Sequence, residues 1–130
     1  MGWTDWPLQR VLYLFLGLAF ASVFVQVTLF HLRQNFWHPA QWYPVIATPL
    51  IAISAFLLVW QNLALLRVAF AVLSVFGVLI GTVGTVYHVA GVAKRVEGFS
   101  LNNFMVGPPP MLPMMVIALS ALGLVALFWV

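Results

Sequence analysis

Four apolar runs, each near or above the roughly 20 residues that cross a bilayer as helix, take up most of this 130-residue chain. They cover about residues 8–32, 43–61, 65–92 and 111–130. Charge decides where such runs can live. Charged residues are 5% of the chain and hydrophobic ones 65%, whereas a soluble domain carries roughly 25% charged residues. Five basic and two acidic side chains cannot cover a water-facing surface of this size, so the outside must meet lipid. The expected fold class is all-α: an integral membrane protein with four transmembrane helices forming one domain over residues 1–130.

The breaks between the runs are short. Arg33 to Trp42 is polar and aromatic and contains Pro39; Gln61-Asn62 is a tight turn that makes helices 2 and 3 antiparallel neighbours; Lys94 to Pro110 is the longest connection. Pro44 and Pro108-Pro109-Pro110 stand at helix starts, where a missing N–H costs nothing. Pro49 and Pro113 fall in the opening turns of helices 2 and 4, where slight kinks are expected. Trp3, Trp6, Trp60 and Trp129 gather on the side of the termini, and Trp37, Trp42, Tyr43 and Tyr87 on the other, as an aromatic belt at each interface. Ala19-Phe20-Ala21 has the look of a signal-peptidase site, but the apolar run continues to Phe30, so helix 1 is expected to be retained. Arg10 and Arg67 on the terminal side face Arg33, Lys94 and Arg95 on the other, which tilts the positive-inside tendency by one charge towards external termini.

Helices 1 and 3 are laid out alike. Arg10 and Arg67 open runs that close on His31 and His88, each histidine 21 residues after its arginine. That is roughly 31 Å of helix, about one hydrocarbon thickness. Leu16/Leu73 and Thr28/Thr85 also match at this offset of 57 residues, and Gly17/Ser74 are both small. A duplicated helical hairpin would explain this, with a pseudo-twofold along the membrane normal and both histidines at equal depth.

Helix 3 carries the sharpest pattern. Ser74, Gly77, Gly81, Gly84, His88 and Gly91 recur by three and four residues and fall within an arc of about 100°. Gly77 and Gly81 form a GxxxG step. Such a face admits a neighbour at close range: either another helix, or a planar cofactor or lipid tail with His88 at its end. Gly17, Ala21, Phe24, Thr28 and His31 repeat the rhythm on helix 1. Neutral imidazole ligates haem iron and the magnesium of a chlorin. His31 and His88 are therefore candidate metal ligands, and Gly77, Gly81 and Gly84 candidate cofactor contacts. The alternatives for the two histidines are a plain interfacial or helix-contact role, and a quinone or proton-handling role. His38, before Pro39, reads as a turn residue.

Asp5 is expected to be solvated or helix-capping, and Glu97 to pair locally with Lys94-Arg95. Gln26, Thr82 and Thr85 suit interhelical hydrogen bonding. The connection Val96 to Pro110 combines turn chemistry at Asn102-Asn103 and Gly107 with apolar Phe99, Leu101, Phe104 and Met105. Those four are candidate partner-binding residues; interfacial lipid contact and a lid over a cofactor are the alternatives.

Tyr87-His88 with Gly91, the pair Lys94-Arg95, and Asn103 before Gly107-Pro108-Pro109 resemble a group of small uncharacterised bacterial four-helix membrane proteins with a Tyr-His…Gly-Pro-Pro segment. The likeness covers helix 3 to the start of helix 4, about a quarter of the chain. It implies a bacterial, multi-pass setting in the cytoplasmic (inner) membrane.

Functionally, the sequence offers no Ser/His/Asp arrangement with an available acid, HExxH, phosphate loop or zinc cluster, and no cysteine for a thiolate site. No basic stripe points to nucleic acid. A self-sufficient enzyme is not expected. The leading expectation is an accessory subunit of a bacterial membrane energy-converting complex, a photosynthetic reaction centre or a respiratory oxidoreductase. It would brace larger subunits and hold a chlorophyll-type pigment, carotenoid, haem b, quinone or lipid. The alternatives are a small b-type haem electron carrier using His31 and His88, and a transporter or channel subunit. The last lacks the usual intramembrane carboxylate.

Overall fold

The computed structural model describes residues 2–95, 98–102 and 109–130. Four helices carry the fold: α1 Leu8–Arg33, α2 Trp42–Trp60, α3 Ala64–Arg95 and α4 Met111–Phe128. All four are long and apolar enough to cross a membrane, and the described residues contain no strand. Helix α3 extends three residues past its expected end, α4 stops two short, and a 3₁₀ turn, Pro39–Gln41, leads into α2.

Local chemistry sets these boundaries. Helix α1 starts after Pro7, whose carbonyl accepts from Val11 N–H. No side chain caps this end, and Asp5 is exposed, the solvated one of its two expected roles. At the other end Asn35 and Phe36 both turn left-handed, at φ 54° and 47°. Phe36 N–H then closes back on the His31 carbonyl at 3.0 Å. A bulky residue in that region costs about 1–2 kcal/mol; Phe36 offsets it by stacking on Trp42, 4.1 Å between ring centroids. His38 is a turn residue as expected: its Nδ1 accepts from Ala40 N–H at 3.1 Å, while Gln41 Oε1 accepts from His38 N–H.

The helices run up and down as a four-membered ring. The closest-knit pairs are α1 with α2 and α3 with α4, and α2–α3 and α1–α4 contacts complete the circle. Tyr13, Leu16, Phe20, Ile51, Ala55, Leu58 and Phe70 fill the middle. Tyr13 and Phe70 meet edge-on across the axis, 5.5 Å apart. Outside, large apolar residues such as Phe15, Leu18, Ile53, Phe76 and Leu79 are half exposed. The buried ridge of α1 is Tyr13, Leu16, Gly17, Phe20, Val23, Val27 and His31. Of the small-residue stripe expected there, Gly17 and His31 lie on this ridge, and Ala21, Phe24 and Thr28 flank it. The ridge follows the bulky residues because they fill the space between four helices to close packing.

At the terminal end, side chains from the start of the chain and the first turns of α1 and α3 close carbonyls near the ends of α2 and α4. Arg10 Nε donates to Val59 O at 3.0 Å, and Arg67 Nη2 to Leu127 O at 3.2 Å. Gln9 donates to Ala126 O and Trp3 Nε1 to Leu58 O. Unpaired C-terminal carbonyls attract cations, and Arg10 also lies 4.0 Å from the centre of the Trp6 ring. The two arginines thus do the same job in the two hairpins. Gly17 and Ser74 also behave alike, each set against its own hairpin partner, Phe56 and Gly123 respectively.

Candidate functional site

The glycine face of α3 is occupied by α4. A Cβ at Gly81 would lie 2.6 Å from Ile117 Cγ1 and 2.8 Å from the Pro113 carbonyl; one at Gly84 would lie 3.1 Å from Pro113 Cβ. At Gly77 it would run into Ser120 Oγ. The helix-contact alternative describes these residues: Pro113, Ile117 and Ser120 of α4 lie against Gly77, Gly81 and Gly84.

Sequence reasoning missed the partner of this face. Ser74-x-x-Gly77 on α3 is answered by Ser120-x-x-Gly123 on α4. The helices are antiparallel, so each serine sits on the other's glycine: Ser120 on Gly77, and Ser74 on Gly123 at 3.1 Å from its would-be Cβ. Both serines are fully buried, and their hydroxyls have no hydrogen-bond partner among the described residues. The repeated S-x-x-G spacing was the available signal.

The histidines do come together at one end of the bundle. His31 closes α1, His38 starts the turn into α2, and His88 lies near the end of α3. His88 Nδ1 donates to the Pro109 carbonyl at 2.7 Å, tying α3 to the segment entering α4. His31 is 6% exposed, and its Nδ1 has no hydrogen-bond partner among the described residues. Aromatic groups surround the cluster: Phe36 lies 6.1 Å from the His31 ring, and Tyr87 lies 5.4 Å from the His38 ring. His38 is engaged as the cap of the 3₁₀ turn. No group of three or more His, Cys, Asp or Glu able to hold a metal gathers among the described residues.

Of the expected partner-binding residues, Phe99 and Leu101 are 62% and 80% exposed. Phe104 and Met105 lie outside the described residues, as do Glu97 and the side chains of Lys94 and Arg95 with which it was expected to pair. Thr82 and Thr85 bond back to the carbonyls of Val78 and Gly81 in their own helix rather than across helices. A threonine hydroxyl in a helix finds its own i−4 carbonyl first.

No protein-family model matches this chain, and no curated protein or solved structure shows significant similarity to it.

Proposed function

We propose that this chain is a non-catalytic accessory subunit of a bacterial membrane energy-converting complex, seated in the inner membrane and bracing larger subunits. The reading rests on one observation above others: beyond the last apolar window of α3, which ends at Gly91, Phe99 and Leu101 stand 62% and 80% exposed. Large apolar side chains displayed outside a spanning segment mark a surface that another protein covers. The same end of the bundle holds Trp37 and Tyr87, both more than half exposed. Packing of α3 on α4 uses up the glycine face inside the bundle, leaving this end for partners. A resident planar cofactor on that face is not part of the proposal.

A photo-crosslinking residue at Leu101 tests the reading in native membranes. The expected result is a crosslink to a larger membrane subunit, in an assembly that carries redox chromophores and that Leu101→Asp dissociates. Migration as a free small species with no crosslink would count against it.

A further inference from the structure

Between α3 and α4, on the outside of the bundle, Ala71, Val72, Val75, Phe76, Leu124 and Phe128 line an open groove of about 280 Å³. Its wall has no polar surface. Arg67 stands at the mouth. It precedes Ala71 by one helical turn and so shares its face of α3. Its Nη2 donates to the carbonyl of Leu127, the neighbour of Phe128, at 3.2 Å. Helix α3 starts at Ala64, so Arg67 lies in its first turn, the level at which a spanning helix leaves the hydrocarbon and a long basic side chain reaches the interface. From Arg67 to Phe76 is nine residues, roughly 13 Å of helix. The charge is at the rim, and the apolar wall runs inward from it.

Charge narrows the choice of occupant. The two hydrogen bonds of Arg67 go to neutral oxygens, Leu127 O and Asn62 Oδ1, the latter at 3.4 Å. A guanidinium has five N–H donors, so neither bond neutralises the charge and donors remain. The chain has two acidic residues, Asp5 and Glu97. Asp5 is exposed and offers Arg10 its backbone carbonyl, and Glu97 follows the opposite end of α3 in sequence. A second copy of this chain would suit the apolar wall but brings no acidic residue on any of its four spanning helices. A phosphate matches a guanidinium at two oxygens, and a phospholipid carries one at the interface above its acyl chains. We propose that this groove binds one anionic phospholipid, with an acyl chain along Val72, Val75 and Leu124 and its phosphate on Arg67. The site lies at the start of α3 rather than beyond its end and does not depend on the accessory-subunit reading above.

The test titrates the full-length chain in detergent with dioleoyl phosphatidylglycerol, counting bound lipids by native mass spectrometry. One lipid per chain should bind ahead of the rest, and tighter than dioleoyl phosphatidylcholine. One arginine near a membrane surface contributes about 1 kcal/mol towards an anionic lipid, so Arg67→Gln should weaken that first lipid about 5-fold, and Arg67→Lys should keep most of it. Val75→Trp lays an indole over the turn before it and fills the groove with Arg67 untouched, so it should also weaken binding. Val83→Trp, equally exposed but two turns beyond the groove wall, should not. Wild-type protein that holds phosphatidylglycerol no tighter than phosphatidylcholine would overturn the proposal without reference to any variant. So would equal losses at Val75 and Val83, or glycerol phosphate competing as well as the whole lipid, which would mean a headgroup site alone. A dimer that Val75→Trp dissociates would assign the groove to a second copy instead. Circular dichroism and gel filtration of each variant establish that the bundle is intact before affinities are compared.

Discussion

Tyr13 sits at the centre of the bundle with its hydroxyl buried and without a hydrogen-bond partner among the described residues. Its ring is well used, edge-on to Phe70 and tilted against Trp3 at 6.4 Å; the hydroxyl is not. An unsatisfied buried polar group costs roughly 1–3 kcal/mol. Tyr13→Phe keeps the ring contacts and removes the stranded group, so it should raise stability by about 1 kcal/mol, read as a higher Tm in detergent. A loss of stability instead would mean that the hydroxyl has a partner. His31 is a second case, 6% exposed and with its Nδ1 unpartnered among the described residues. Neither residue's situation was legible in the sequence. An apolar run containing one tyrosine or one histidine gives no sign of whether that side chain points at the axis or at the interface.

Between elements, the α3–α4 contact depends on what stands opposite each glycine. Opposite Gly81 is backbone, the Pro113 carbonyl and the Ile117 nitrogen at 3.0 Å from a would-be Cβ, and backbone cannot step aside. Opposite Gly77 the nearest atom is the Ser120 hydroxyl, and opposite Gly84 only the Pro113 ring. Overpacking of this kind costs roughly 1–3 kcal/mol. Gly81→Ala should therefore fall near the top of that range, Gly77→Ala below it, and Gly84→Ala lowest, in denaturant unfolding in detergent. Adding Ser120→Gly should largely rescue Gly77→Ala and leave Gly81→Ala unrescued; rescue of both would show that the face is not set in this register. The glycine stripe and its rhythm were plain in the sequence. Its occupant was not, because all four helices are apolar on every side and no polar face tells inward from outward. For the same reason the buried ridge of α1 took in Leu16, Phe20, Val23 and Val27 with Gly17 and His31, leaving Ala21, Phe24 and Thr28 at its flank.

At the scale of the whole molecule, the helix count and most boundaries followed from run length, proline placement and the tight turn at Gln61, since a bilayer-sized apolar segment has few alternatives. The matched arginines were visible too, and their common role, closing the C-terminal carbonyls of α2 and α4, emerges only once the hairpins are assembled. What the assembled bundle adds is a division of labour. One end is knitted shut by Arg10, Arg67, Gln9 and Trp3; the other holds the histidines. That division requires α4 to lie on the glycine face of α3. A chain without cysteine permits a direct measurement of it in native membranes: the double variant Ser74→Cys/Gly123→Cys, oxidised and compared by mobility with a pair placed at the outward-facing Leu79 and Val125. Ser74 Oγ lies 3.1 Å from the Gly123 Cβ position, within range of a disulfide, so the 74–123 pair should crosslink within one chain and the outward pair should not. If the 74–123 pair stays reduced, or joins two different chains, the glycine face belongs to some other neighbour and the division of the bundle drawn from it is wrong.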